Sequence, residues 1–458
     1  MDGKIKIGFY GGVGSPTGSN FYLSDGAEKT KVLIDCGLHQ GCKVCEDDNR
    51  EPFPYNPADI DYLFVTHAHI DHVGRIPKLV REGFRGKIIS TAPTKEIAEL
   101  MLFDSLGVLG KEAAQDNLLP IYEKEDVEAA MRLWTDIPYR MLFDAGAFQV
   151  RLRETGHILG SAMVEVNYID KKIIFTGDLG NSPAPLLPNT DEVKDADVLV
   201  IESVYGDRNH EDRGSRKQIL EDVIEDTVRS GGALMIPAFS LERTQELLYE
   251  LNDLVEHGRI PQVPVFIDSP LAINVTKIYR KYENYFNGEA KNIIKKGDDI
   301  FRFPGVRFTE TTEESKAIAQ VPNPKIIIAG SGMSNGGRII HHEKRHLGDP
   351  KSTLLVIGYQ VPGSLGRRLQ DGDKHVRILG EDVYVSAKVR TIHGYSAHKD
   401  SDHLLQFVAN SADTLKNVFV VLGESKSSLF LTQRIRDYLG IEARAPVPGE
   451  IVNIDINK

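Results

Sequence analysis

A chain of 458 residues with 41% hydrophobic and 26% charged side chains has enough apolar material for a sizeable interior, and it exceeds what one core usually supports. Two large domains, or one domain with a large insertion, are therefore expected. No run approaches the roughly 18 apolar residues that cross a bilayer, the opening residues lack the regions of a signal peptide, and the net charge of −11 argues against indiscriminate adhesion to nucleic acid while allowing a local basic groove. These features exclude a membrane span and lead to the expectation of a cytoplasmic protein.

Up to about residue 205 short strands alternate with turns and helical stretches, the rhythm of an α/β layered domain. The apolar run 31–34 ends at Asp35, an acid where a strand stops; it reads either as a turn residue or as a group orienting a nearby ligand. The cysteines are Cys36, Cys42 and Cys45. Cys42-x-x-Cys45 has neither the second pair of a zinc site nor a thioredoxin-like context, so no disulfide or redox role is assigned to it. The strand expected over 61–66 runs directly into His67-Ala68-His69-Ile70-Asp71-His72. Two further strands, over 148–156 and 172–177, lead to His157 and Asp178.

From about residue 211 the pattern changes to amphipathic helices between wholly apolar strands. Ile219, Leu220, Val223, Ile224 and Val228 share one helical face, and a strand follows over 233–237. A helix over 241–255, strands at 263–268 and 325–329, a helix over 337–347 and a strand at 353–358 continue a second, parallel α/β unit. Pro322-Asn323-Pro324 reads as linker-like punctuation. Strands resume after about 375, then come His398, a helix over 401–410, a strand over 417–422 and a helix over 429–439, as if the first domain were returning. The expected division is 1–208, 209–372 and 373–458.

Packing four ligand-type side chains within six positions of a strand end would be costly without a cation. Residues two apart at a strand end point the same way, so His67 and His69 can share one ion with His157. Asp71, His72 and His398 can hold a second ion, with Asp178 as the bridge. Such binuclear hydrolytic sites place two cations roughly 3.5–4 Å apart with open positions for water and substrate. Nitrogen and oxygen donors without cysteine suit two Zn2+ ions per chain, and Mn2+ would accept the same set. In the second unit, Gly330-Ser331-Gly332-Met333-Ser334-Asn335-Gly336-Gly337-Arg338 lies between a strand and a helix, where backbone N–H groups can bind phosphate. Ser331, Ser334 and Arg338, with Arg243, Arg367 and Arg368, are the candidate phosphate-binding residues there.

The segments around Asp35, His67 to His72, His157 and Asp178 resemble the successive motifs of the metallo-β-lactamase fold. Glu202 in Val198-Leu199-Val200-Ile201-Glu202-Ser203, the segment from Ile236 to Glu246, and the glycine-rich segment ending at Arg338 resemble the β-CASP nucleases. The likeness is to bacterial and archaeal relatives of the polyadenylation-factor endonuclease, over nearly the whole chain. The resemblance implies an αββα metallo-β-lactamase domain with an inserted parallel α/β β-CASP domain, and cleavage of RNA phosphodiester bonds in the cleft between them; the RNA is expected to be single-stranded.

By the same resemblance Glu202 is the acid closing a strand beside the metals, and His398 is the late histidine that separates RNA-cutting from DNA-repair members. The general acid is left among His398, His346 and His375, because a nitrogen that binds metal cannot also donate a proton. A β-CASP-type DNA nuclease and a non-catalytic RNA-binding scaffold are the alternatives. Sequence leaves a homodimer open.

Overall fold

The computed structural model describes residues 4–41, 47–210, 215–358, 360–361 and 363–455; Cys42 and Cys45 lie outside them. The chain divides into two compact units, one of 1–209 with 397–458 and the other of 210–396.

The first unit contains two seven-stranded sheets. One orders its strands as Glu450–Asp455, Lys4–Gly11, Asn20–Asp25, Lys31–Ile34, Tyr62–Phe64, Lys87–Ser90 and Trp134–Asp136. The other runs Ala443–Arg444, Asn417–Val421, Val198–Glu202, Lys171–Phe175, Ala162–Tyr168, Phe148–Glu154 and Phe143–Ala145. Their inner faces share one apolar core, in which Ile5, Ile7, Phe9, Phe21 and Phe64 of the first sheet meet Phe148, Val164, Phe175 and Phe419 of the second. On the outer face of the second sheet, Ile174, Leu199, Val418 and Val420 pack with Leu404, Phe407 and Val408 of helix Ser401–Ala409 and with Leu431 and Ile435 of helix Ser425–Leu439. Helix Ala92–Gln115 covers the first sheet, started by Thr91, whose hydroxyl accepts the Thr94 N–H, with Pro93 in the first turn. The result is an αββα layering.

The second unit is built on a six-stranded, wholly parallel sheet, ordered Val306–Phe308, Val265–Asp268, Lys325–Ala329, Ala233–Pro237, Thr353–Ile357 and Lys388–Ile392. Lys325-Ile-Ile-Ile-Ala329 and Ala233-Leu-Met-Ile-Pro237 are buried along their whole length, as expected of strands covered on both faces. The segment 373–396, expected to belong with the C-terminal part of the first domain, instead completes this unit. Lys388–Ile392 pairs in parallel with Thr353–Ile357, and the hairpin His375–Ile378 with Glu381–Tyr384 packs Val376 and Ile378 into the same core as Leu354 and Val356. Alternation alone marks a strand without saying which sheet receives it. Pro322 and Pro324 lie inside this unit, just before Lys325–Ala329, rather than between domains. Among the described residues no helix is long and apolar enough to cross a membrane.

Candidate metal centre

The centre starts from Asp35, which follows the strand Lys31–Ile34 and is fully buried. Its backbone takes a positive φ of 61°, a conformation that aspartate tolerates better than most residues. Both carboxylate oxygens are engaged. Oδ1 accepts the Thr66 N–H at 2.8 Å; Oδ2 accepts the hydroxyls of Thr66 at 2.8 Å and Ser19 at 3.1 Å and pairs with His72 Nδ1 at 2.7 Å. The acid at the strand end therefore orients a histidine. With Nδ1–H donated to Asp35, His72 Nε2 is turned the other way, where a metal ion would take the place of its proton. That atom is buried and has no hydrogen-bond partner, and it sits 3.5 Å from Asp178 Oδ1 and 3.9 Å from Asp71 Oδ2. Thr66 also reaches His67 Nδ1 at 3.0 Å, so one hydroxyl links the orienting acid to two imidazoles. Sequence reasoning passed over Thr66, although it stands directly before the cluster.

Helix Ile70–Val73 begins immediately after His69. It packs so tightly on the turn after Asp35 that a Cβ on Gly37 would fall 1.5 Å from the Asp71 carbonyl oxygen. His69 Nδ1 lies 3.0 Å from His67 Nε2 and 3.2 Å from His157 Nε2. Asp178 Oδ2 stands 3.5 Å from His67 Nε2 and 3.4 Å from His157 Nε2. His67, His69, His157 and Asp178 thus offer donor atoms all within 4.8 Å of one another, a grouping able to hold a metal ion. Asp178, Glu202 and His398 form a second such grouping that shares the Asp178 carboxylate.

Although His398 is 220 residues beyond Asp178 in sequence, short backbone ladders place it in the site. Gly180 bridges antiparallel to His398, the Asn181 N–H donates to the Ala397 carbonyl at 2.7 Å, and the Lys399 N–H donates to Leu179 at 2.9 Å. His398 Nδ1 is 3.2 Å from Glu202 Oε2 and 3.9 Å from Asp178 Oδ2. Glu202 is itself completely buried and accepts the Leu179 N–H, so it fixes both His398 and the turn after Asp178.

The electrostatics favour an added cation. Burial, then the neighbouring imidazoles of His72, His69 and His157, hold His67 well below the usual histidine range, in the neutral form that binds metal. Burial raises the Asp178 carboxyl above its ordinary range in spite of the opposing pull of His72 and His398. At His72 and His398 burial favours the neutral ring but is outweighed by carboxylates, Asp178 and Asp35 in one case and Glu202 and Asp178 in the other, giving values of about 10 and about 9. An orphaned imidazole nitrogen, a desolvated carboxylate and a nitrogen-and-oxygen donor set together fit a divalent metal.

The candidate phosphate-binding residues of the second unit are largely occupied within the protein. Arg243 is buried and ion-paired with Glu246. Arg338 donates to Asp268 Oδ1 at 2.8 Å and to the carbonyls of Thr309 and Glu310 at 3.0 Å each. Ser334 is buried and donates to Glu343, while Ser331 Oγ is buried without a partner. The glycine-rich loop spends backbone groups on itself, with Ser331 N–H donating to Gly336 and Ile339 N–H to Gly330. Arg367 pairs with Asp371, and Arg368 with Asp373. Sequence identified these cations but not their partners. His346 is buried at the end of helix Ile339–His346, and His375 lies exposed in the hairpin; both are in the second unit, outside the two metal groupings.

Comparison with known proteins agrees with this geometry. Residues 14–226 match the model of the metallo-beta-lactamase superfamily, residues 244–369 that of the Beta-Casp domain, and residues 382–446 that of the Zn-dependent metallo-hydrolase RNA specificity domain. The chain is 38% identical to Ribonuclease TTHA0252 of Thermus thermophilus over 93% of its own length and 95% of that protein. It is 31% identical to an RNase J-like protein of Methanocaldococcus jannaschii over 93% and 95% of the two chains. With transcription termination factor FttA of Methanosarcina mazei it shares 30% identity over 99% of this chain and 72% of the other. A crystal structure of a protein of unknown function from Enterococcus faecalis shares the fold, with a TM-score of 0.57 at 12% identity, covering 98% of this chain and 100% of that one. An αββα unit carrying a histidine–aspartate metal cluster, interrupted by a parallel α/β insertion, and relatives matched over almost their full length place this chain in the metallo-β-lactamase/β-CASP ribonuclease family of hydrolases.

Proposed function

We propose that the protein is a ribonuclease that hydrolyses phosphodiester bonds of single-stranded RNA at a two-zinc centre, with manganese as the alternative metal. The carrying observation is one buried carboxylate, Asp178, common to two donor groupings. The names of the relatives, a ribonuclease, an RNase J-like protein and a transcription termination factor, support RNA as the substrate. His67, His69 and His157 are the proposed ligands of one ion, Asp71, His72 and His398 those of the other, and Asp178 the bridge. When bound, the cations supply Lewis acidity that activates water and stabilises charge on the phosphate.

The chain's own groups supply orientation and protons. Asp35 holds His72 through Nδ1, leaving Nε2 for the centre. Glu202 holds His398 through Nδ1, so the remaining ring nitrogen serves either as ligand or as proton donor to the leaving oxygen, not as both. His346 is a poor donor at neutral pH, because burial and the nearby cation Lys325 keep its pKa at about 4. His398 held by Glu202 is the preferred acid, ahead of His375.

Incubating purified protein and Zn2+ or Mn2+ with single-stranded RNA and, separately, DNA of the same sequence tests this reading. RNA cleavage is expected to exceed DNA cleavage and to fall on the order of 10³-fold in Asp71→Ala and His72→Ala variants. No cleavage by the wild type, equal cleavage by the variants, or preference for DNA would overturn it.

A further inference from the structure

Strand Lys4–Gly11 turns Ile5, Ile7 and Phe9 into the core, which leaves Lys6 and Gly8 on the opposite face of the sheet. Strand pairing sets their neighbours. Lys6 stands opposite Ser24 on one side and Asn453 on the other, Gly8 opposite Tyr22 and Ile451, and Ser24 in turn opposite Lys31. Between Phe9 and Gly11 the register slips, so Tyr10 is the extra residue of a bulge, a device that re-aims a side chain. Its ring folds back over Gly8, where an added Cβ would fall 3.0 Å from two of the ring carbons. Helix Ala92–Gln115 packs at the far edge of this sheet, against Trp134–Asp136. Around Tyr10 the chain instead leaves a cavity of about 390 Å³, within the roughly 300–1,000 Å³ of small-ligand sites.

Three tyrosines line this cavity. The Tyr10 ring lies 5.3 Å from that of Tyr55 and 6.1 Å from that of Tyr22, so the wall is a continuous aromatic surface. Two lysines join it, Lys6 paired with Glu28 and Lys31 with Asp59 at 3.3 Å. Those carboxylates are about half exposed, and ion pairs so wet hold their lysines only weakly. The Tyr10 hydroxyl and the Asn453 side-chain amide, also in the lining, make no hydrogen bond to another described residue. The wall is tied to the metal centre as well. Tyr55 donates its hydroxyl proton to Asn20 Oδ1 at 3.0 Å, Asn20 Nδ2 donates to the Asp35 carbonyl at 2.8 Å, and the Asp35 carboxylate holds His72. One buried asparagine thus sets cavity and centre in a fixed relation.

An aromatic wall, an unused amide and loosely held lysines match the three parts of a nucleotide, a flat base, a polar base edge and a phosphate. We infer that the cavity binds one nucleotide, its base against Tyr10, its polar edge at Asn453 and its phosphate toward Lys6. The nucleotide is either a unit of an RNA strand or a free mononucleotide. The strand form rests on the ribonuclease reading above, and the test separates the two. Binding of a fluorescent single-stranded 2′-O-methyl oligonucleotide to the metal-loaded protein is followed by anisotropy across a salt series, binding of adenosine and uridine monophosphates by calorimetry, and cleavage of ordinary RNA alongside. Tyr10→Ala is expected to weaken the ligand that occupies the cavity about tenfold, and Asn453→Ala about threefold. Tyr10→Phe should restore most of the affinity, which a role confined to the tyrosine hydroxyl would not allow. Because stacking releases no counterions, the slope of log affinity against log salt in Tyr10→Ala should stay that of the wild type. Asn453, exposed on an edge strand, keeps the test open should Tyr10→Ala fail to fold. Oligonucleotide affinity that depends on these side chains assigns the strand; dependence of the monophosphates alone assigns the free nucleotide. Independence of both ligands from Tyr10 and Asn453 overturns the site whether or not the wild type cuts RNA. Dependence without any cleavage keeps the site and removes the ribonuclease reading.

Discussion

Asp178 and Asp268 are both buried aspartates at the ends of strands, one in each unit, and both face histidine; their surroundings differ in kind. Asp268 has its hydrogen-bonding capacity met by the protein: Oδ1 accepts from Arg338 and Thr309 at 2.8 Å each, and Oδ2 from His342 and Ser315 at 2.7 Å each. Burial is outweighed by those four donors, which hold its carboxyl at about 2. Asp178 instead faces four imidazole nitrogens at 3.4–3.9 Å, outside hydrogen-bond range, and burial raises its carboxyl. A polar cluster closed at hydrogen-bond distance is a structural hub. One whose donors converge while standing slightly apart has room for an ion.

The contrast can be broken most sharply at Asp178. Asp178→Asn should lower RNA cleavage on the order of 10³-fold and reduce bound metal from near two per chain to one or fewer, read by elemental analysis. The same change in metal-free protein should move the denaturant midpoint far less than Asp268→Ala does, because relief of the desolvated carboxylate offsets the lost attraction for the His72 and His398 rings; a large loss of stability there would mean that Asp178 is a structural hub too. Asp268→Ala should behave in the opposite way. It strands Arg338 and His342, with a stability loss of about 3–5 kcal/mol in chemical denaturation and metal content retained.

That second loss should depend on pH. The folded Asp268 value of about 2 lies below the unfolded aspartate value of about 3.9, so its stabilisation is complete above the unfolded value and disappears as pH falls through the folded one. The gap between wild type and an Asp268→Asn variant should therefore be full at pH 5 and close toward pH 2. A smaller effect is expected at Asp35, where Asp35→Asn should weaken metal affinity about 10–100-fold in chelator competition, through misorientation of His72. A pH-dependent effect of opposite sign is expected at Glu343, buried with only the Ser334 hydroxyl and pushed up to about 8 by desolvation. The stabilisation carried by its neutral form is complete below the unfolded glutamate value and is lost as pH rises through about 8. Glu343→Gln should accordingly match wild type near pH 5 and melt higher near pH 9.

The two units also differ in how much their sequence revealed. Strands Ala233–Pro237 and Lys325–Ala329 were legible to the residue, because burial on both faces leaves an unbroken apolar run between turn signals. Helix Ala92–Gln115 was not singled out, since its second half carries Gly107, Gly110 and an exposed Val108 in place of a continuous apolar stripe. The metal-type residues stood out because histidines and acids gathered at strand ends have few other uses. The arginines misled, because a cation's partner is chosen in three dimensions: Arg338 finds Asp268 70 residues earlier, and nothing in the spacing announces it.

The long detour between Asp178 and His398 has a consequence for biosynthesis. His67, His69, His157 and Asp178 leave the ribosome early, while His398 follows only after the whole of unit 210–396, and the strand Glu450–Asp455 that flanks Lys4–Gly11 comes later still. Translation at about 5–20 residues per second separates these events by many seconds. A nascent chain can therefore gather its first donor grouping well before the second exists.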